Sequence, residues 1–178
     1  MPPSKDLAPF LSQYIHDAAS NSQEQDVQRS AGLVLAALKR SMKSGPRRTV
    51  PSPEEIVSIK QGRLLTTIAF FLDDTFEELS YDMTTTVREA VEFLAGVIKL
   101  KDYQTFSLFE VRRTMVQSRS VEPLEESYPY DDNRYIGDIL QEFRALQAKT
   151  GKGEVVQSKL LFKKRLFRET DEQITDPM

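Results

Sequence analysis

The spacing of apolar residues changes its period near residue 63. Before that point it is helical. Phe10, Leu11, Tyr14, Ile15 and Ala18 recur at intervals of three and four behind Pro9, which suits a first helical turn. The polar run Ser20-Asn21-Ser22-Gln23 interrupts the pattern. Val27, Ala31, Val34, Leu35, Leu38 and Met42 then form a second stripe. Ser44-Gly45-Pro46 should end that helix, since Gly accepts a left-handed cap and Pro cannot continue a helix. A third, short helix is expected to about Lys60. Ser52 is its cap, Pro53 its first residue, and Glu55 the return partner of a capping box, with Gly62 as terminator.

From Arg63 the signals alternate between strand and helix. LLTTIAFFL (64–72) reads as a buried strand, Asp73-Asp74-Thr75 as a turn, and Phe76 to Tyr81 as the return strand of a hairpin. Thr86 and Glu89 form a second capping box, opening a helix that points Val87, Val91, Leu94 and Ile98 one way. Thr105 to Val111 is a third strand. Residues 113–133 lack periodicity and read as a long surface loop, with room for a short extra strand near Tyr128 to Tyr130. Asp132 or Asn133 is expected to cap a helix with Ile136, Ile139, Leu140, Phe143 and Leu146 inward. Gly151-Lys152-Gly153 should turn the chain into a last strand, Val155 to Phe167. The order strand, strand, helix, strand, helix, strand is that of a ubiquitin-like β-grasp. The expected fold class is α+β, the C-terminal part of a helical domain followed by a ubiquitin-like domain.

Composition narrows the function classes. The 178 residues carry 24 basic and 27 acidic side chains, for a net charge of −3. The charge is uneven: residues 1–62 hold 8 basic and 6 acidic groups, and the remainder is net acidic. Neither part is basic enough to predict nucleic-acid binding. No run of 18 apolar residues spans a membrane, and the start resembles no secretory signal. Cysteine is absent, which excludes a disulfide scaffold and a thiolate zinc site and points to an intracellular setting.

Catalytic signatures are weak. The only Gly-Lys pair, Gly151-Lys152, lacks the rest of a P-loop and reads as a turn. His16 is the sole histidine, so a typical zinc site cannot be assembled and the usual general base exists in one copy. The acid pairs Asp73-Asp74, Glu77-Glu78, Glu125-Glu126 and Asp131-Asp132 read as solvated charge, and Asp131-Asp132-Asn133 lacks the rest of an EF-hand loop. No catalytic residue, metal site or cofactor is expected. The best binding candidate is the basic set Lys39, Arg40, Lys43, Arg47 and Arg48, three at a helix end and two past its break. Such a set suits an acidic surface, either a filament or an anionic lipid, although helix-dipole complementation explains its first three members equally well. Lys163, Lys164 and Arg165 on the last strand are expected to guard a sheet edge or to meet a neighbouring lobe.

Longer motifs carry a resemblance. LLTTIAFFLDDTFEELSYD (64–82), TFSLFEVRR (105–113), DDNRYIGDILQEF (131–143) and KLLFKKRLFRETDE (159–172) resemble the first lobe of a FERM domain of the myosin-tail type. SGPRRTVPSPEEI (44–56) resembles the end of a myosin tail homology 4 domain. The tandem occurs in unconventional myosins and in the kinesin-like calmodulin-binding motors of plants, of the kinesin-14 type. The wording of FFLDDTFEELSYDM and DDNRYIGDILQEF is most similar to the latter.

The resemblance implies residues 1–61 as the C-terminal part of the first domain, 62–168 as the first FERM lobe, and 169–178 as the start of a second lobe absent from this chain. It further implies a non-catalytic tail module in the cytoplasm, on the cytoskeleton, that binds microtubules, actin or cargo. Calmodulin and ATP would be handled only by parts of the parent motor that lie elsewhere. The alternative expectation is a ubiquitin-like docking domain that takes a small GTPase or other signalling partner on an exposed strand edge near Phe76 to Tyr81.

Overall fold

The computed structural model describes residues 3–116, 124–149 and 154–165. The expected turn at Gly151-Lys152-Gly153, the end of the last strand at Phe167 and the tail 169–178 lie outside these residues. The chain forms two compact units, the first running through Val50 and the second from Pro51.

In the first unit α1 (Ala8–Asn21) and α2 (Gln25–Ser44) pack on each other. Pro9 lies in the first turn of α1, as the sequence suggests. Gly45 ends α2 with φ of 85° and donates its amide to the Ser41 carbonyl at 2.9 Å. A side chain at that φ would be strained, which is why Gly stands there. Ile15 and Leu38 are buried, but Phe10, Tyr14, Val34 and Met42 remain exposed. The two apolar stripes are therefore core only in part, because two helices cannot cover each other's full apolar width.

The second unit opens with α3 (Pro53–Lys60). Ser52 accepts from the Glu55 amide while the Glu55 carboxylate accepts from the Ser52 amide, so the capping box forms as expected. A five-stranded mixed sheet follows, in the order β2-β1-β5-β3-β4. Its strands are β1 (Leu65–Phe70), β2 (Phe76–Tyr81), β3 (Phe106–Val116), β4 (Leu124–Pro129) and β5 (Glu154–Lys164). β1 and β5 run parallel and the other neighbours antiparallel. Between the strands lie α4 (Val87–Val97) and α5 (Ile136–Lys149). One core joins Val87, Val91 and Leu94 of α4 and Ile136, Ile139 and Phe143 of α5 to Ala69, Leu79, Leu108, Leu160 and Phe162 of the sheet. This is the β-grasp arrangement: the last strand enters the middle of the sheet and the helices cover one face.

Several expectations need correction. Within residues 113–133, β3 continues to Val116 and β4 pairs with it from Thr114↔Leu124 to Phe109↔Pro129. All of β4 but the half-buried Glu126 is exposed, so it carries no apolar period, and backbone pairing holds it in place. β1 is not buried throughout: Ala69 is inaccessible, but Ile68 is 47% exposed, because its face of the sheet carries no helix. α4 stops at Val97, leaving Ile98 as its exposed cap residue, and Ala90 and Ala95 complete the buried face instead. α5 begins at Ile136, too late for Asp132 or Asn133 to cap it.

Candidate interaction surfaces

Lys39, Arg40 and Lys43 occupy the last turns of α2, and Arg47 and Arg48 follow Gly45 in non-helical backbone. Lys39 and Lys43 are both exposed and stand four residues apart, hence on one helix face. Arg40 and Arg47 are half-buried, Arg48 is exposed, and all three make polar or electrostatic contacts of their own. The five residues therefore do not present themselves alike: the two lysines are a solvated pair, and the arginines are already engaged. His16 lies exposed beside Asp17.

The second basic set is not an edge guard. β5 is the central strand, flanked by β1 and β3. Lys163 donates to the Ser127 hydroxyl at 2.9 Å and lies 4.3 Å from the centre of the Phe109 ring. Arg165 reaches the Asp132 carboxylate and the Ser107 hydroxyl. Asp132 also takes Arg88, at the start of α4, at 3.3 Å. The carboxylate expected to cap a helix instead ties α4, the turn before α5 and the end of β5 together.

Two buried polar groups went unnoticed in the sequence. Glu110, 7% exposed, accepts from Tyr130 Oη at 3.0 Å, Arg112 Nε at 2.9 Å and Ser158 Oγ at 3.1 Å. Burial, reinforced by the Glu110 charge, pushes the Tyr130 hydroxyl far above the ordinary tyrosine range. Both carboxylate oxygens have donors, so this is a structural network on the covered side of the sheet. Among the described residues, no cluster of His, Asp and Glu could hold a metal ion, and no helix is long and apolar enough to cross a membrane.

The remaining feature is the edge of β2. β2 pairs with β1 on one side, and no described strand lies on the other. A groove of about 570 Å³ lies on the paired side of β2, over β1 and toward β5, lined by Ile68, Phe70, Phe76, Glu78 and Lys159 together with Leu140 and Phe143 of α5. Phe76 is 60% exposed and its ring stands 6.0 Å from that of Phe70. Asp73, in the turn, accepts from the amide and hydroxyl of Thr75, and these bonds hold its carboxyl below the usual range.

The described residues thus form a β-grasp unit preceded along the chain by helices. Residues 63–166 match the RA-like domain and residues 1–58 the MyTH4 domain. The chain belongs to the RA-like domain family and, with the MyTH4 match, is a MyTH4–FERM tail region of the kind carried by kinesin and myosin motors. It is 56% identical over its whole length to the kinesin-like protein KIN-14E of Arabidopsis thaliana and 55% identical to KIN-14I of Oryza sativa. It spans only 14% of the length of each. The myosin-I heavy chain of Dictyostelium discoideum is 26% identical over 93% of the chain, which covers 7% of that protein. Among solved structures, the MyTH4–FERM MF1 domain of Dictyostelium myosin VII (a mutant form) is 24% identical with a TM-score of 0.73, covering 95% of this chain and 32% of that one. The C-terminal MyTH4–FERM domain of human myosin 7b, solved with a harmonin PDZ domain, is 20% identical with a TM-score of 0.57, again covering 95% and 32%. At these identities the structures speak to the fold alone.

Proposed function

We propose that this chain is a non-catalytic tail module of a cytoskeletal motor, with residues 1–61 the end of a MyTH4 domain and 62–168 the first FERM lobe. It attaches the motor to a microtubule, to actin or to cargo. ATP hydrolysis and calmodulin binding belong to segments of the motor outside this chain. The observation that carries the filament reading is the exposed Lys39–Lys43 pair at the end of α2, followed by Arg47 and Arg48. Cations on one helix end in a solvated setting are suited to the acidic surface of a polymer. The 55–56% identity to plant kinesin-14 proteins favours microtubules as that polymer.

Co-sedimentation with microtubules tests this. The chain should pellet at low salt and be released as salt is raised, because exposed charges are screened. Lys39→Gln with Lys43→Gln should abolish pelleting with the fold retained and only a small drop in melting temperature, from lost dipole complementation at the end of α2. Binding indifferent to salt, or to the double substitution, would refute the electrostatic mechanism.

A second reading is favoured by the open β2 edge: docking of a signalling protein, such as a small GTPase, by strand addition. It concerns the second unit alone and can hold alongside the first.

A further inference from the structure

We propose that the β2 edge takes an extended segment of a partner protein in which a lysine or arginine stands two positions from an apolar residue. This rests on the reading of β2 as a docking edge and adds the chemistry that selects the occupant.

The backbone defines which groups are on offer. The Phe71 amide donates to the Thr75 carbonyl at 2.8 Å, which makes 71 and 75 a hydrogen-bonded pair. The register continues without a break through Phe70↔Phe76, Ile68↔Glu78 and Thr66↔Ser80. Bonded and non-bonded pairs alternate along an antiparallel ladder. Glu77 and Leu79 therefore bond to β1, and the N–H and C=O groups of Phe76, Glu78 and Ser80 point away from the sheet. All three residues are exposed. The strand contains no proline, lysine or bulge, and the charges that keep this edge from pairing with itself are acidic, Glu77 and Glu78. At the opposite edge β4 ends in Pro129, which has no N–H to offer.

The side chains define what fits. Phe76, Glu78 and Ser80 share the sheet face that carries no helix. A strand added there places one residue opposite Phe76, whose ring continues to Phe70 and Ile68, and the next residue on that face opposite Glu78. The first position favours an apolar side chain and the second a cation. Asp73 and Asp74 in the adjoining turn and Glu77 on β2 extend the negative field, and Lys159, 3.7 Å from Asp74, is the nearby cation. A second copy of this chain is a poor occupant. Antiparallel self-pairing centred on Glu78 would set two glutamates face to face, which destabilises a cross-strand pair.

The test uses the full chain and two synthetic peptides of about eight residues, identical except that one carries lysine and the other glutamate two positions from a phenylalanine. Fluorescence anisotropy should show the lysine peptide binding about tenfold or more tightly than the glutamate peptide, a gap that narrows with salt. Hydrogen exchange should slow at the amides of Phe76, Glu78 and Ser80 on adding the lysine peptide and stay unchanged at Glu77 and Leu79. Glu78→Lys should reverse the peptide preference. Ser80→Pro, which removes a donor that no ladder bond uses, should weaken binding with the melting temperature retained. If neither peptide protects the three amides, docking at this edge is itself refuted. If both bind equally, docking stands and the charge selection is overturned. Protection that appears with chain concentration alone would assign the edge to self-pairing and likewise overturn it.

Discussion

The Glu55 carboxylate on α3 accepts a 3.0 Å hydrogen bond from the side-chain amide of Gln141 on α5, while the same oxygen accepts the Ser52 amide that opens its own helix. Glu55 is only 2% exposed. One residue thus caps α3 and fastens it to the β-grasp unit. The MyTH4 match runs to residue 58, yet the compact unit containing the sheet begins at Pro51. α3 is read as part of one domain and is held by the other.

Glu55→Ala should therefore destabilise the second unit by about 1–3 kcal/mol, through loss of the cap and of a buried acceptor. A version of the second unit starting at residue 63 should unfold at lower urea than one starting at residue 51. Equal midpoints would show that α3 contributes nothing to the sheet domain.

The neighbouring pair behaves differently. Arg144 lies 2.8 Å from Glu54, and its hydrogen bond and charge, with help from Ser52, hold the Glu54 carboxyl below the ordinary range. A carboxyl with a lowered folded pKa stabilises the fold fully above the ordinary glutamate value and loses that contribution as pH falls through the lowered one. Both groups are exposed, so the effect should be small and screened by salt. Urea unfolding followed from neutral pH into acid should show a slightly shallower acid-side loss in Glu54→Gln than in the parent.

Tyr130→Phe should cost about 1–3 kcal/mol, because it removes a donor from the buried Glu110 carboxylate. The pH effect of Tyr130 has the opposite sign to that of Glu54. Its folded pKa is raised above the unfolded value, so its stabilising contribution is intact below about pH 10 and is lost as pH climbs toward the raised value. Ultraviolet titration should find Tyr130 among those of the six tyrosines that resist ionisation until the chain unfolds in alkali. A resistant fraction smaller by one tyrosine in Tyr130→Phe checks the assignment.

Leu160, 1% exposed on the central strand, lies in the core with Phe162 and the residues of α4 and α5. Leu160→Ala should cost about 2–5 kcal/mol, measured by chemical denaturation. Val155→Ala, on the same strand but 45% exposed, should cost far less.

Much of this molecule was decided locally and could be read without coordinates. Both capping boxes, the Gly45 terminus, the β1–β2 hairpin and the apolar faces of α4 and α5 depend on residues within a turn or two of one another, so their signals survive in the linear pattern. Three of the motifs that carry the family resemblance, 44–56, 64–82 and 131–143, overlap those same elements. Other features needed the third dimension. β4 has a mostly exposed surface and is a strand only because β3 lies beside it. Lys163 and Arg165 belong to a central strand because β5 inserts next to β1, a parallel pairing across some 90 residues that no local spacing announces. The Glu110–Tyr130 network and the Asp132 clasp join residues tens of positions apart. The same holds for the candidate surfaces. The Lys39–Lys43 pair is legible from helical period alone, whereas the outward amides of Phe76, Glu78 and Ser80 follow from register, which exists only once two strands have paired.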